Sequence, residues 1–244
     1  MYLIVNPKNR FVLIDAGMPN NSERTLQFLA SKGFGKSSTL TVLLTHPDID
    51  HAGSLADLKR RVPEASIGIH ELDAATLAGE KGPKQIKGFT GLLLSTLGEL
   101  SRLKPVKADL LLKDGDEVEG LTVIHTPGHT DGSSCFYDDA ERALFAGDAL
   151  RTDDNGNPQK PAFNANDEQA MDSLRRICAL NFEKLYPGHG APIIEGASEK
   201  LAAFGSRQRK KEAAAHLPYT IYPVFKDPAS KPADGNARQE LSSV

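Results

Sequence analysis

Within the segment Thr45-His46-Pro47-Asp48-Ile49-Asp50-His51-Ala52-Gly53, four side chains able to bind metal fall in six positions: His46, Asp48, Asp50 and His51. Imidazole nitrogen and carboxylate oxygen in one set suit zinc, iron or manganese. In an extended turn, residues 46 and 48 point one way while Asp50 and His51 turn toward a neighbouring position. One loop could then serve two adjacent ions. Three more segments each set one such residue beside glycine: Thr126-Pro127-Gly128-His129-Thr130, Phe145-Ala146-Gly147-Asp148 and Tyr186-Pro187-Gly188-His189-Gly190. Glycine lets the backbone bend close to an ion. His125 and His129 have the spacing of a helical zinc pair, but Pro127 and Gly128 between them rule out a helix there.

Ligands of this kind need rigid supports, and apolar runs precede them. Phe11-Val-Leu-Ile14 predicts a buried strand leading into the turn Asp15-Ala16-Gly17. Leu40–Leu44 predicts a second, which delivers Thr45-His46 at its C-terminal end. Ser66–His70, Leu121–His125, Ser134–Tyr137, Ala143–Ala146 and Phe182–Tyr186 read as further strands. Helices are predicted from a capping Ser22 to Ser31, with Leu26, Leu29 and Ala30 facing inward and Gly33 ending it, from Ser54 to Arg61, and from Asp167 to Leu180. Strands alternating with helices along the chain make this an α/β protein. Between 71 and 110, Phe89, Leu92, Leu93, Leu97, Leu100 and Leu103 recur at helical spacing. That pattern predicts either an ordinary packed helix or a cover over the site.

The 244 residues, 39% hydrophobic and 25% charged, supply the core of one large domain. Residues 1–218 are expected to form it. Residues 219–244, rich in Pro, Ala, Ser, Lys and Asp without periodicity, are expected to be a flexible tail. Lys plus Arg is 29 against 32 Asp plus Glu, a formal net charge of −3, which disfavours nucleic acid as a partner. The basic run Arg207-Gln208-Arg209-Lys210-Lys211 reads as a solvated helix face. Cys135 and Cys178 lie in apolar runs and read as buried, reduced thiols. The apolar start Met1–Val5 is too short for a signal core or a membrane span, so a cytoplasmic protein with no membrane partner is expected. His70 and His125 read as structural, and His216 as exposed.

Five motifs in order resemble the metallo-β-lactamase superfamily, in its glyoxalase-II-like and lactonase-like branch: Asp15 in IDAG, the T-H-x-D-x-D-H-x-G loop, His129 in TPGHT, Asp148 in AGD and His189 in PGHG. The resemblance covers roughly residues 1 to 215. It implies a four-layer αββα sandwich with the site along one edge of two sheets. It further implies that one metal takes His46, Asp48 and His129, that the other takes Asp50, His51 and His189, and that Asp148 bridges both. Asp15 and Thr45 would orient ligands. This chain departs from the family twice. Asp48 stands where the family usually has His, a place where flavodiiron proteins carry Glu. The chain also opens at Tyr2-Leu-Ile-Val, where the family usually has an earlier strand, so a missing edge strand or a truncated start is expected.

The resemblance implies a hydrolase holding two divalent ions, zinc first, with iron or manganese as alternatives. Such a pair lowers the pKa of a shared water from about 16 to about 7 and so yields hydroxide at neutral pH. Asp50 and Asp148 are the expected catalytic carboxylates. The expected substrate is a small molecule with an apolar acyl or aryl part: an ester, lactone, thioester or lactam. An iron-dependent oxidoreductase, of the sulfur-dioxygenase or diiron kind, and a degenerate binding protein are the alternatives. Asp48 makes three ligating carboxylates, −3 against +4 from two divalent ions, where the usual His would leave −2. The site is therefore less positive, and hard oxygen ligation favours manganese or iron more than usual.

Overall fold

Alternation along the strands sets the layering. In β2 (Arg10–Ile14), Phe11 and Leu13 point into one apolar cluster while Val12 and Ile14 point into another. The computed structural model describes residues 1–85 and 103–215, with side chains through 209. β1 (Tyr2–Asn6), β2, β3 (Thr39–Leu43), β4 (Ser66–His70) and β5 (Leu110–Leu112) form one sheet in that order, parallel except for β1 against β2. The second sheet uses β6 (Glu117–Val118), β7 (Leu121–His125), β8 (Ser134–Asp138), β9 (Ala143–Gly147) and β12 (Lys184–Pro187), in the order β12-β9-β8-β7-β6. Between β9 and β12 in the chain, β10 (Arg151–Thr152) and β11 (Pro158–Gln159) form a small ribbon.

Val12, Ile14 and Leu43 of the first sheet meet Leu121, Val123, Phe136 and Phe145 of the second, which makes the central layer of the core. On the outer face of the first sheet, Phe11, Leu40, Val42, Ile67 and Ile69 pack under α1 (Ser22–Ser31), α3 (Leu55–Arg61) and α4 (Glu71–Leu77) through Leu29, Leu55, Leu58 and Leu77. On the far side, Cys135, Leu144, Ala146 and Leu185 are covered by α5 (Asp167–Ile177) and α6 (Ala197–Ala215) through Leu174, Ile177, Leu201 and Phe204. The architecture is an αββα sandwich. It belongs to the first of two units, Met1–Arg207; of the second, Gln208–Val244, the described part is the end of α6. Among the described residues no helix is long and apolar enough to cross a membrane.

Several local expectations need correction. In α1 Leu29 and the half-buried Leu26 face the core as expected, joined by Ser22 and Thr25, whereas Ala30 is exposed at the edge of that stripe. Asn21, not Ser22, occupies the N-cap, and Ser22 begins the helix. The Asp167 helix stops at Ile177 rather than Leu180, and the following strand begins at Lys184. Cys135 is buried as expected, but Cys178, which caps α5, is only half-buried. The leucine-rich segment lies mostly in 86–102, and His216 in 216–244, both outside the described residues.

Candidate metal centre

The chain places each chemical group just beyond the C-terminal end of a strand. Asp15 follows β2, Thr45-His46 follows β3, His129 follows β7, Asp148 follows β9 and His189 follows β12. Both sheets therefore feed one edge, and short backbone bonds lock the ends together: Asp15 N–H to the Leu43 carbonyl at 2.9 Å, Ser134 N–H to the Thr45 carbonyl at 3.0 Å, and Gly188 N–H to the Gly147 carbonyl at 2.7 Å. Two glycines are required by close approach. A Cβ on Gly147 would stand 2.6 Å from Thr45 Cβ at a φ of +49°, and one on Gly188 would stand 2.4 Å from an Asp148 oxygen.

The loop after β3 does not stay extended. Residues 49–52 form a one-turn helix, α2 (Ile49–Ala52), with Asp48 at its N-cap, φ −71° and ψ 155°. The Asp48 carboxylate makes no capping bond. It turns instead toward His46 and His129. Residues 46 and 48 do share one half of the site, as the alternation suggested, whereas Asp50 and His51 reach the other half from a helical turn.

All seven singled-out residues converge. Asp48 Oδ2 lies 3.6 Å from His46 Nε2 and 3.2 Å from His129 Nε2. Asp50 Oδ2 lies 3.1 Å from His189 Nε2 and 3.7 Å from His51 Nε2. Asp148 stands between the two halves: its Oδ2 is 3.5 Å from His129 Nε2 and 3.4 Å from His189 Nε2, and its Oδ1 is 3.2 Å from His51 Nε2. The groups His46/Asp48/His129, His46/His51/Asp148 and Asp50/His51/His189 each offer donor atoms within 4.8 Å of one another.

Outer contacts fix which nitrogen faces inward. Asp15 accepts from His51 Nδ1 at 2.8 Å and from the Thr45 N–H at 2.8 Å. The Thr45 hydroxyl donates to Asp15 at 3.0 Å, so it accepts from His46 Nδ1, also at 3.0 Å. His129 Nδ1 donates to the Ala162 carbonyl at 3.0 Å. Each of these three rings thus holds a proton on the outer nitrogen and turns Nε2 inward, the nitrogen a metal would take. Asp15 reaches this position through a left-handed backbone, φ +63°, which Asp tolerates better than most residues.

The electrostatics are those of a cation site. Burial works against charge on His51, but Asp15 and Asp148 outweigh it and raise its pKa to about 11. Bonds to Asp148 and Asp50 raise His189 to about 9. Burial and then the neighbouring His51 push His46 down to about 4. Burial opposes ionisation of Asp148, yet His189, His51 and His46 hold its carboxyl far below the usual carboxylate range. His46 Nε2 and Asp148 Oδ1 are buried with no hydrogen bond, so each keeps a lone pair uncommitted. These donors fit divalent ions, and the centre is a dinuclear metal-binding site whose mixed His/Asp set admits zinc, iron or manganese.

One participant is not foreshadowed by any motif. Lys84 Nζ lies 2.6 Å from Asp48 Oδ2 and also contacts His129 Nε2, with its side chain 9% exposed. A sequence signal existed only indirectly: a carboxylate at 48 in place of imidazole asks for a compensating positive charge. A second supporting group, Asp73, accepts from the Thr130 hydroxyl at 2.5 Å and steadies the loop that carries His129. Burial raises the Asp73 pKa. His70 and His125, read as structural, stack on each other away from the metal-binding groups, with centroids 4.1 Å apart.

An αββα sandwich with two His/Asp half-sites at one edge defines a dinuclear metalloprotein. The chain belongs to the metallo-beta-lactamase superfamily, whose model matches residues 1–189. It is 33% identical over 148 residues to protein YobT of Bacillus subtilis (strain 168), covering 61% of this chain and 60% of that one. It is 30% identical to the probable metallo-hydrolase YflN of the same organism, covering 79% of this chain and 81% of YflN. It is 28% identical to the acyl-coenzyme A thioesterase MBLAC2 of Gallus gallus, over 87% and 79% of the two chains. Among solved structures, TTHA1623 in a di-iron-bound form superposes with a TM-score of 0.62 at 27% identity, covering 81% of this chain and 90% of that one.

Proposed function

We propose that the protein is a metal-dependent hydrolase of carbonyl compounds: esters, lactones, thioesters or lactams with an apolar acyl or aryl part. The observation that carries this reading is Asp148, within 3.5 Å of His129 on one side and of His189 on the other. In this reading His46, Asp48 and His129 hold one ion, Asp50, His51 and His189 hold the second, and Asp148 serves both. Bound divalent ions supply a nucleophile at neutral pH and polarise the carbonyl that it attacks. The chain's own residues do the rest. Asp15 and Thr45 hold a proton on the outer nitrogens of His51 and His46, so that Nε2 of each ring faces the site. Asp50, with its side chain 35% exposed and bonded to His189, is the candidate to relay a proton to a leaving group. Thioesters are the first class to try, because a relative similar over most of its length is named as an acyl-coenzyme A thioesterase.

The test is metal analysis of purified protein, followed by hydrolysis assays of the reconstituted protein on acyl thioesters, lactones, aryl esters and β-lactams. About two ions per chain and turnover of one class are expected. Metal that binds without any turnover would leave a binding protein. The Asp48 oxygen and the di-iron-bound form of TTHA1623 favour one second reading, iron-dependent oxidation. Oxygen consumption by the iron-loaded protein with a persulfide distinguishes it.

A further inference from the structure

We propose that Lys84 is a built-in competitor for metal: its ammonium and a metal ion are alternative occupants of the His46/Asp48/His129 half-site. This inference rests on the ligand set proposed above. His129 Nε2 faces Asp48 Oδ2, 3.2 Å away, while its Nδ1 is held on the Ala162 carbonyl. That pair of atoms can hold a cation between them. Lys84 supplies the cation, bonding Asp48 at 2.6 Å and touching His129. The same lone pairs cannot serve an ammonium and a metal at once. The other half holds no ammonium: among the described residues, the ion pairs of Asp50, His51 and His189 are with one another, Asp15 and Asp148.

One consequence follows. An ion entering the Asp48 position must displace the ammonium, so its affinity there is lowered by the strength of the lysine's bonds. A charge-assisted hydrogen bond contributes on the order of ten- to a hundredfold in an equilibrium constant. Asp48 explains why the lysine is there, since an imidazole at that position would offer no negative charge to hold it.

The experiment is zinc titration of the metal-stripped full chain against a chromophoric chelator, for wild type, Lys84→Met and Lys84→Gln. In both variants one of the two affinities should tighten by about ten- to a hundredfold while the other moves by less than about threefold. Two unchanged affinities, or a fall in either, overturn the proposal and make Lys84 a bystander or a support for Asp48. A second measurement needs no variant. Acetylation of wild type, mapped by mass spectrometry, should reach Lys84 in the zinc-loaded protein and not in the metal-free one, and labelling indifferent to zinc overturns the proposal. Two zinc ions bound equally in all three proteins defeat the competition alone, whereas no zinc in any of them defeats the dinuclear reading itself.

Discussion

Asp15 Oδ2 accepts a hydrogen bond from His51 Nδ1 at 2.8 Å, and both groups are buried. The carboxylate has no other way to act on the site, because it points at outer nitrogens and hydroxyls rather than into the half-sites. It receives three donors on two oxygens: His51 Nδ1, the Thr45 hydroxyl and the Thr45 N–H. In Asp15→Asn an amide nitrogen must face one of these donors. The ring of His51 then loses its reason to keep the proton outside. Asn also tolerates the left-handed φ of +63°, so the backbone stays as it is. We expect zinc affinity or turnover to fall by about 10- to 100-fold with a cooperative melt retained. Chelator competition measures it, and an affinity equal to wild type would remove Asp15 from this role.

The tight passage at Gly188 gives a second expectation. A methyl there would stand 2.4 Å from Asp148 Oδ1 and 2.8 Å from His51 Cε1, two atoms with no room to retreat. Gly188→Ala should destabilise the fold by about 1–3 kcal/mol and reduce bound metal as well. Gly82→Ala is the control, because nothing lies within 4 Å of a Cβ at that position. Melting curves and elemental analysis of both proteins suffice. Equal metal content in the two would show that the contact is relieved without moving Asp148.

Much of this centre is legible in the sequence, for a physical reason. The ligands come shortly after apolar runs that read as buried strands, so Leu40–Leu44 announces His46 and Ala143–Ala146 announces Asp148. The layer assignment is legible for the same reason, since Phe11 and Leu13 alternate with Val12 and Ile14. The short α2 helix was not legible. Four residues leave no period to detect, and Ile49-Asp50-His51-Ala52 reads equally as loop. Lys84 was not legible either, because it reaches Asp48 across 36 positions from a Gly-Pro stretch with no pattern of its own. Pairings set by tertiary proximity alone leave such traces only in charge balance.

The stacked pair His70 and His125 predicts an acid sensitivity remote from the metals. Burial, and next the charge of His125, lower the His70 pKa below 6.5. The unfolded chain then binds more protons than the native one as pH drops from about 6.5 toward the lower folded value. Stability present above pH 6.5 is therefore lost on acidification through that window. Protonation also removes the acceptor that His70 Nδ1 offers to the Leu72 N–H at the start of α4. His70→Asn keeps a capping acceptor without a titrating group. Denaturant midpoints between pH 7 and pH 5 should fall less for His70→Asn than for wild type. Parallel slopes for the two proteins would place the acid sensitivity elsewhere.

The exchange Asp48→His tests whether the carboxylate and the lysine form one unit. Taken alone, this substitution restores the residue usual in the superfamily and should move metal preference toward zinc by replacing a hard oxygen donor. The structure adds an obstacle. Lys84, with its side chain 9% exposed, would keep its charge beside His46 and His129 with no carboxylate at 2.6 Å to answer it. An uncompensated, mostly buried cation costs several kcal/mol or forces the side chain out of the site. We therefore expect Asp48→His to lower both the melting temperature and the affinity for zinc at this half-site. Asp48→His/Lys84→Met should recover both, and bind zinc in preference to manganese more strongly than wild type. The coupling between the two positions, read from the four proteins of the cycle, should exceed about 1 kcal/mol. Additive effects would mean that Asp48 and Lys84 act on the metal centre independently, and the departure at position 48 would then need another cause.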